Sequence, residues 1–229
     1  PRSEEEMESL RRFPPGALAL QPLIDATPAG GTLRLEPRVY AAPGRIARPM
    51  RIEGVPGTVV DGGGIGSIVT VTADDVTILG VTFRNSGERH ETTDSAVRLR
   101  GRNGIMKDNV IEDCLFGFEL RQSDGNVIHL MYAHRNPLER NDFLGNTVGI
   151  FLMYANDNEV VDNVVHYSQG PSGIGIGFKE SSNTLVAHND LFANARGLFM
   201  DASPYDPDGF NLFRANRIAY NGVAVAFHS

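Results

Sequence analysis

The sequence predicts an all-β chain wound as a parallel β-helix, a solenoid of single strands, with a short helix capping its N-terminal end. Three observations carry this reading. Leu130–Asn136 (LMYAHRN) returns as Leu152–Asn158 (LMYANDN) 22 residues later. An asparagine followed eight residues on by glycine and a hydrophobic strand occurs at Asn109/Gly117, Asn141/Gly149 and Asn189/Gly197. Asn163 and Gly175 are twelve apart, which four extra residues around Ser168–Ser172 explain. Finally, short β-rich runs with period-two alternation are bounded by Gly, Pro or Asp. Repeats of this kind let each coil add one rung to each of several sheets. A propeller blade needs about 40 residues or more, and a leucine-rich repeat has its own fixed leucine spacing. Neither pattern is present.

Taken in order, residues 1–19 read as a polar tail ahead of a β-helix domain spanning 20–229. Residues 20–27 (LQPLIDAT) form a short amphipathic helix with Leu20, Leu23 and Ile24 on one side. It covers a sheet end that would otherwise invite edge-to-edge association. From Gly30 the period changes to two, as in Thr32–Leu35, Ile68–Thr72 and Val76–Leu79. Residues with His90, Glu88, Glu91 and Asp94 form a loop excursion between coils. Cys114, the chain's one cysteine, reads as a small buried hydrophobe. Nine of 13 prolines lie in residues 1–56, whereas all 16 asparagines fall between Asn85 and Asn221. Asparagine tolerates left-handed backbone at bends, and its amide can bond to the next coil. One place breaks the period. The strand Phe118–Leu120 is followed only about ten residues later by Ile128–Tyr132, as if the stack took a shortcut or residues were missing between about Asn126 and Leu130.

Composition narrows the function. The chain has 229 residues, 41% hydrophobic and 21% charged, with no apolar run near the roughly 20 residues of a spanning helix. A net charge of −7 argues against a nucleic-acid partner. A single cysteine excludes an intrachain disulfide framework. The first residues, acidic and polar, are not a secretory signal.

Alternation assigns side chains to the two sides of the wall. Leu35, Ile78, Val81, Ile150, Leu152, Ile176, Phe178, Leu198 and Met200 should face the core, as should Val223. Between them one outward column reads Glu119, His129, Phe151, Gly177, Phe199, and its neighbour Arg121, Met131, Met153, Lys179, Asp201. Rungs lie about 4.8 Å apart, so members of a column touch. His129, Met131 and Met153, with His134 at a corner, are candidate soft ligands of the kind copper(I) prefers. The same apolar face, through Phe151, Met153 and Phe199, suits partner contact. A different reading makes Lys179, Asp201 and Asp206 a polysaccharide lyase or hydrolase site, since lyases use a basic residue to take a proton and hydrolases pair two carboxylates. Against it stands a plain Lys179–Asp201 ion pair between neighbouring rungs. The absence of tryptophan also speaks against a sugar groove.

Pro28–Tyr40, Val59–Gly64 (VVDGGG) and Val76–Asn85 resemble the opening coils of pectin-lyase-like right-handed β-helices. LMYAHRN, Val148–Ala155, Gly173–Glu180, Ser203–Tyr205 and Arg217–Gly222 more specifically resemble the NosD family. That resemblance, running from about residue 20 to 229, implies a non-enzymatic periplasmic protein assisting copper-site maturation of nitrous oxide reductase. It implies an ABC transporter and a copper chaperone or copper enzyme as partners, with copper as the metal concerned. Carbohydrate-active enzyme and purely structural adaptor are the competing classes.

Overall fold

A computed structural model describes residues 12–122, 125, 146–228 and the backbone of 127–129. Parallel strands stack into a β-solenoid with three faces. The first face has eight rungs: Gly44–Ile46, Val69–Val71, Ser95–Leu99, Phe116–Arg121, Val148–Met153, Ile174–Lys179, Arg196–Asp201 and Val223–His228. The second also has eight, from Thr32–Arg34 to Asn211–Arg214. The third is divided into a five-stranded part ending at Val110–Glu112 and a three-stranded part, Val164–His166, Asp190–Phe192 and Arg217–Ala219.

Packing follows from alternation. Ile78, Ile150, Leu152, Ile176 and Phe178 are fully buried, and Leu35, Val81, Leu198 and Met200 nearly so. Helix Leu20–Ala26 buries Leu20 and Ile24 against the first rung. Its Pro22 sits in the first turn, where a missing N–H costs nothing. Leu20 comes so close to Gly44 that a Cβ there would lie 2.7 Å from its Cδ2. Two residues of the supposed polar tail, Phe13 and Ala17, are also buried, against Ala41, and Leu18–Ala19 pairs with Tyr40–Ala41.

The asparagine–glycine mark has a clear physical origin. Left-handed backbone falls to the residue before each ladder asparagine (Asp108, Asp162, His188, Ala193, Ala215, Tyr220) rather than to the asparagine itself. The amide is thereby freed to bind the next coil. Asn163 N–H donates to Asn189 Oδ1 at 2.9 Å, and Asn189 Nδ2 donates to Asn216 Oδ1 at 2.9 Å and to the Val160 carbonyl at 2.8 Å. The glycine is needed because space runs out: a Cβ on Gly149 would meet Val165 Cγ1 at 2.4 Å across the core. Asn189→Ala should therefore cost about 2 kcal/mol, since buried donors and acceptors on two coils lose partners. Urea unfolding checks this.

The pairing corrects two readings. Phe118 pairs directly with Ile150, whereas Val127–His129 belongs to the second face, between Ile105–Lys107 and Glu159–Val161. The ten-residue interval thus spans two faces of one coil, as between Ser95–Leu99 and Ile105–Lys107, and not two rungs of one sheet. His129 consequently leaves the column of Glu119 and Phe151. At the other end, Val223 pairs with Arg196, so Val225 and Phe227 continue the inward positions of Leu198 and Met200. Val223 is exposed, as are Val225 and Phe227 on this outermost described rung. The alignment on Gly222 fails because Ala224 occupies the place of Gly197.

Cys114 is buried, its Sγ donating to the Glu112 carbonyl at 3.3 Å. Burial is the largest influence on its thiol, pushing it up to about 12. An unfolded chain ionises this thiol at about 8.5, so above that pH the folded state keeps a proton that the unfolded state loses. The resulting contribution to stability is full below that value and falls as pH rises towards 12. Urea midpoints at increasing alkaline pH should fall less for Cys114→Ala than for the native chain.

Candidate functional site

The outer side of the first face gathers most of the residues singled out from sequence. One column runs Arg98, Glu119, Phe151, Gly177, Phe199, Ala226, and its neighbour runs Arg121, Met153, Lys179, Asp201, His228. Alternation within each strand places these residues outward while Phe118, Leu120, Ile150, Leu152 and Phe178 fill the core. At the start of each rung Phe116, Val148 and Ile174 form a second apolar cluster with Leu115, and the half-buried Phe151 and Phe199 pack against it. Phe151 lies over Gly177, where a Cβ would come within 2.7 Å of its Cδ2. The rings of Phe116 and Phe151 are 5.9 Å apart.

Charges organise the flanks. Glu119 is fully buried although it points away from the core, because the excursion between Arg84 and Ser95 folds over it. Its Oε2 accepts from Arg98 Nε at 2.7 Å, and its Oε1 accepts from Thr93 Oγ1 at 2.8 Å. Arg121 Nε approaches Oε1 at 3.2 Å as an ion pair, without hydrogen-bond alignment. Arg98 also donates to the carbonyls of Thr92 and Thr93. The excursion is thus clamped to the sheet. Asp94 in this excursion is buried and accepts from Thr92 Oγ1 and from the Arg89 N–H.

Further along, Lys179 Nζ lies 4.0 Å from Asp201 Oδ2, and His228 Nδ1 lies 2.9 Å from Asp201 Oδ1. Both oxygens of Asp201 are therefore engaged by neighbouring rungs. Asp206 sits in the exposed loop after Ser203–Pro204, its N–H donating to Ser182 Oγ at 3.0 Å. The Lys179–Asp201 pair is the bridge between rungs that alternation predicts. His228 was missed because the misaligned last rung hid its place beside Asp201.

For a soft-metal site the placement is less favourable. Met153 is half-buried on the first face, between Arg121 and Lys179 in its column. His129 has its backbone on the second face, between Lys107 and Val161. Met131 and His134 lie outside the described residues. Among the described residues, no group of three or more His, Cys, Asp and Glu side chains is arranged to hold a metal ion. The described donors do not fit a resident copper centre, because two cations flank the one thioether.

A polar cleft lies at the corner between the third and first faces. Two adjoining hollows of about 690 and 450 Å³ share Ser86, Glu88 and Asp113 in their walls. His90 borders the smaller one, with its ring 6.2 Å from that of Phe116.

No helix among the described residues is long and apolar enough to cross a membrane. No curated protein sequence matches the chain closely enough to count as a relative. A family model described as "Periplasmic copper-binding protein (NosD)" matches residues 85–229. That span includes the excursion over Glu119, the apolar cluster and both outward columns from Glu119 onward. With well over half of the sequence matched, and with a parallel β-solenoid beneath it, the chain belongs to the NosD family of periplasmic copper-binding proteins.

Proposed function

We propose that this chain acts in the periplasm as a non-enzymatic accessory protein for copper-site maturation of nitrous oxide reductase. In this reading it works beside ABC transporter subunits and a copper chaperone or the copper enzyme itself. The family match over residues 85–229 is the observation that carries the reading. The outer face of the first sheet supplies its physical side. Phe151, Met153 and Phe199 stand together on rigid strands, where a partner can be held without reordering a loop.

Copper enters this proposal as cargo. Met153 is the soft donor on the contact face, and its cationic neighbours Arg121 and Lys179 disfavour holding copper permanently. A thioether in that setting contributes to a site completed by other donors. His129, Met131 and His134 remain the candidates from this chain, and a partner can supply the rest. Met153→Ser should shift unfolding by less than about 1 kcal/mol, because the side chain is half-exposed. The same change should weaken copper(I) uptake or partner capture.

The test of the cellular role is genetic and chemical. Deleting the gene in a host that makes nitrous oxide reductase should leave that enzyme short of copper, and the intact gene should restore it. Full copper loading in the deletion strain contradicts the proposal. The lyase or hydrolase alternative requires Asp201 to act on substrate, yet this carboxylate is bridged on both sides by Lys179 and His228.

A further inference from the structure

We infer that the outer side of the first face is a docking surface for an acidic polypeptide that also carries apolar side chains. This inference rests on the contact-face part of the proposed function and adds the chemistry of the partner.

Charge is the first argument. The chain as a whole carries −7. The strands of the first face nevertheless hold five cations, Arg45, Arg98, Arg121, Lys179 and Arg196, against two carboxylates, Glu119 and Asp201. Glu119 is buried between Arg98 and Arg121, so these three carry one net positive charge, and the strands together keep an excess of cations. The fold itself produces this segregation. Many acids are drawn to the corners, where Asp75, Asp108, Asp113, Asp157 and Asp162 take left-handed backbone that most other residues resist. The first and second faces are left basic, whereas the third holds Arg84 and Arg217 against Asp61, Glu112 and Asp190. Carboxylates on a partner would meet complementary potential here, and basic groups would be repelled.

Composition is the second argument. Protein-binding surfaces are enriched in aromatic residues, methionine and arginine. Phe151, Phe199, Met153, Arg98, Arg121 and Arg196 are neighbours on this face. The Arg196 guanidinium lies 5.8 Å from the centre of the Phe199 ring, so cation and aromatic form one surface. The second face is basic too, with Arg34, Arg51, Lys107 and Arg214 against Glu53 and Glu159, but no phenylalanine stands outward beside those cations among its described residues. A polyanion without apolar groups would use the cations and ignore the half-buried Phe151 and Phe199. Apolar anchors beside a basic rim therefore favour a polypeptide over a polysaccharide.

The test measures binding of the full chain to three labelled probes by fluorescence polarisation. One is an extended peptide alternating Glu with Phe and Leu. Its twin has Lys in place of every Glu. The third is polygalacturonate. The Glu peptide should bind about tenfold more tightly than its Lys twin, with a preference that shrinks at high salt. Lys179→Glu with Arg196→Glu should abolish that preference, and Phe151→Ser should weaken the Glu peptide. If the reversal pair does not fold, Lys179→Gln with Arg196→Gln removes charge without adding repulsion. Equal binding of both peptides would overturn the acidic-partner inference while leaving the contact face standing. Failure of both peptides to bind would overturn the contact face and the inference with it. Polygalacturonate binding as tightly as the Glu peptide, unaffected by Phe151→Ser, would assign the face to a polyanion and overturn the inference.

Discussion

Glu119→Ala should lower the free energy of unfolding by about 3–5 kcal/mol, the cost of removing one partner from a buried ion pair. The carboxylate has no exposed surface, and it holds Arg98, Thr93 and Arg121 together. Without it, two guanidinium groups face each other across neighbouring rungs under a covering loop. Arg98 keeps its bonds to the carbonyls of Thr92 and Thr93, but the excursion loses the Thr93 bond to Glu119 and should loosen before the solenoid unfolds. Hydrogen exchange should accelerate in residues 87–94 well beyond the change in the core strands. Glu119→Gln should lose less than Glu119→Ala, because its amide oxygen still accepts from Arg98. Unchanged exchange in the excursion, together with an unchanged urea midpoint, would contradict the clamp.

Phe178→Ala should be equally damaging, at about 3–5 kcal/mol, through lost burial plus the cavity left behind. Phe178 is fully buried, and its ring meets that of Phe213 edge-on at 5.8 Å. One residue along, Lys179 points outward, and Lys179→Ala should change stability by less than about 1 kcal/mol because its pair with Asp201 is solvent-exposed. The contrast between adjacent positions is the thermodynamic signature of period-two alternation. Thermal unfolding of the two variants side by side measures it.

Much of this architecture was legible because it is local and repeated. Alternation alone placed Ile150, Leu152, Ile176, Phe178, Leu198 and Met200 inside. It also brought Met153, Lys179 and Asp201 into one outward column. The asparagine–glycine spacing reflects a genuine device, a buried amide ladder beside a position that a Cβ would overfill. What eluded the sequence depends on which face a short run joins. Val127–His129 has the same alternating look as a first-face strand, and three residues do not distinguish one face of a coil from the next. His129 was therefore misplaced beside Phe151. Gly222 misled in the same manner, because Ala224 does the work that glycine does in earlier coils. The burial of Glu119 was also hidden, since nothing in a local pattern announces that a loop 26 residues away in sequence, at Thr93, will cover it.

An anaerobic copper(I) titration of the full chain against a chromophoric chelator tests directly whether this chain handles copper. The proposal predicts that the chain withdraws copper from the chelator. Met153→Ser should weaken that withdrawal while leaving the unfolding midpoint almost unchanged, because this side chain is half-exposed. Failure to withdraw copper at any chain concentration, combined with Asp201-dependent cleavage of a polyuronide or glycan in a parallel screen, would contradict it and make the chain a carbohydrate-active enzyme.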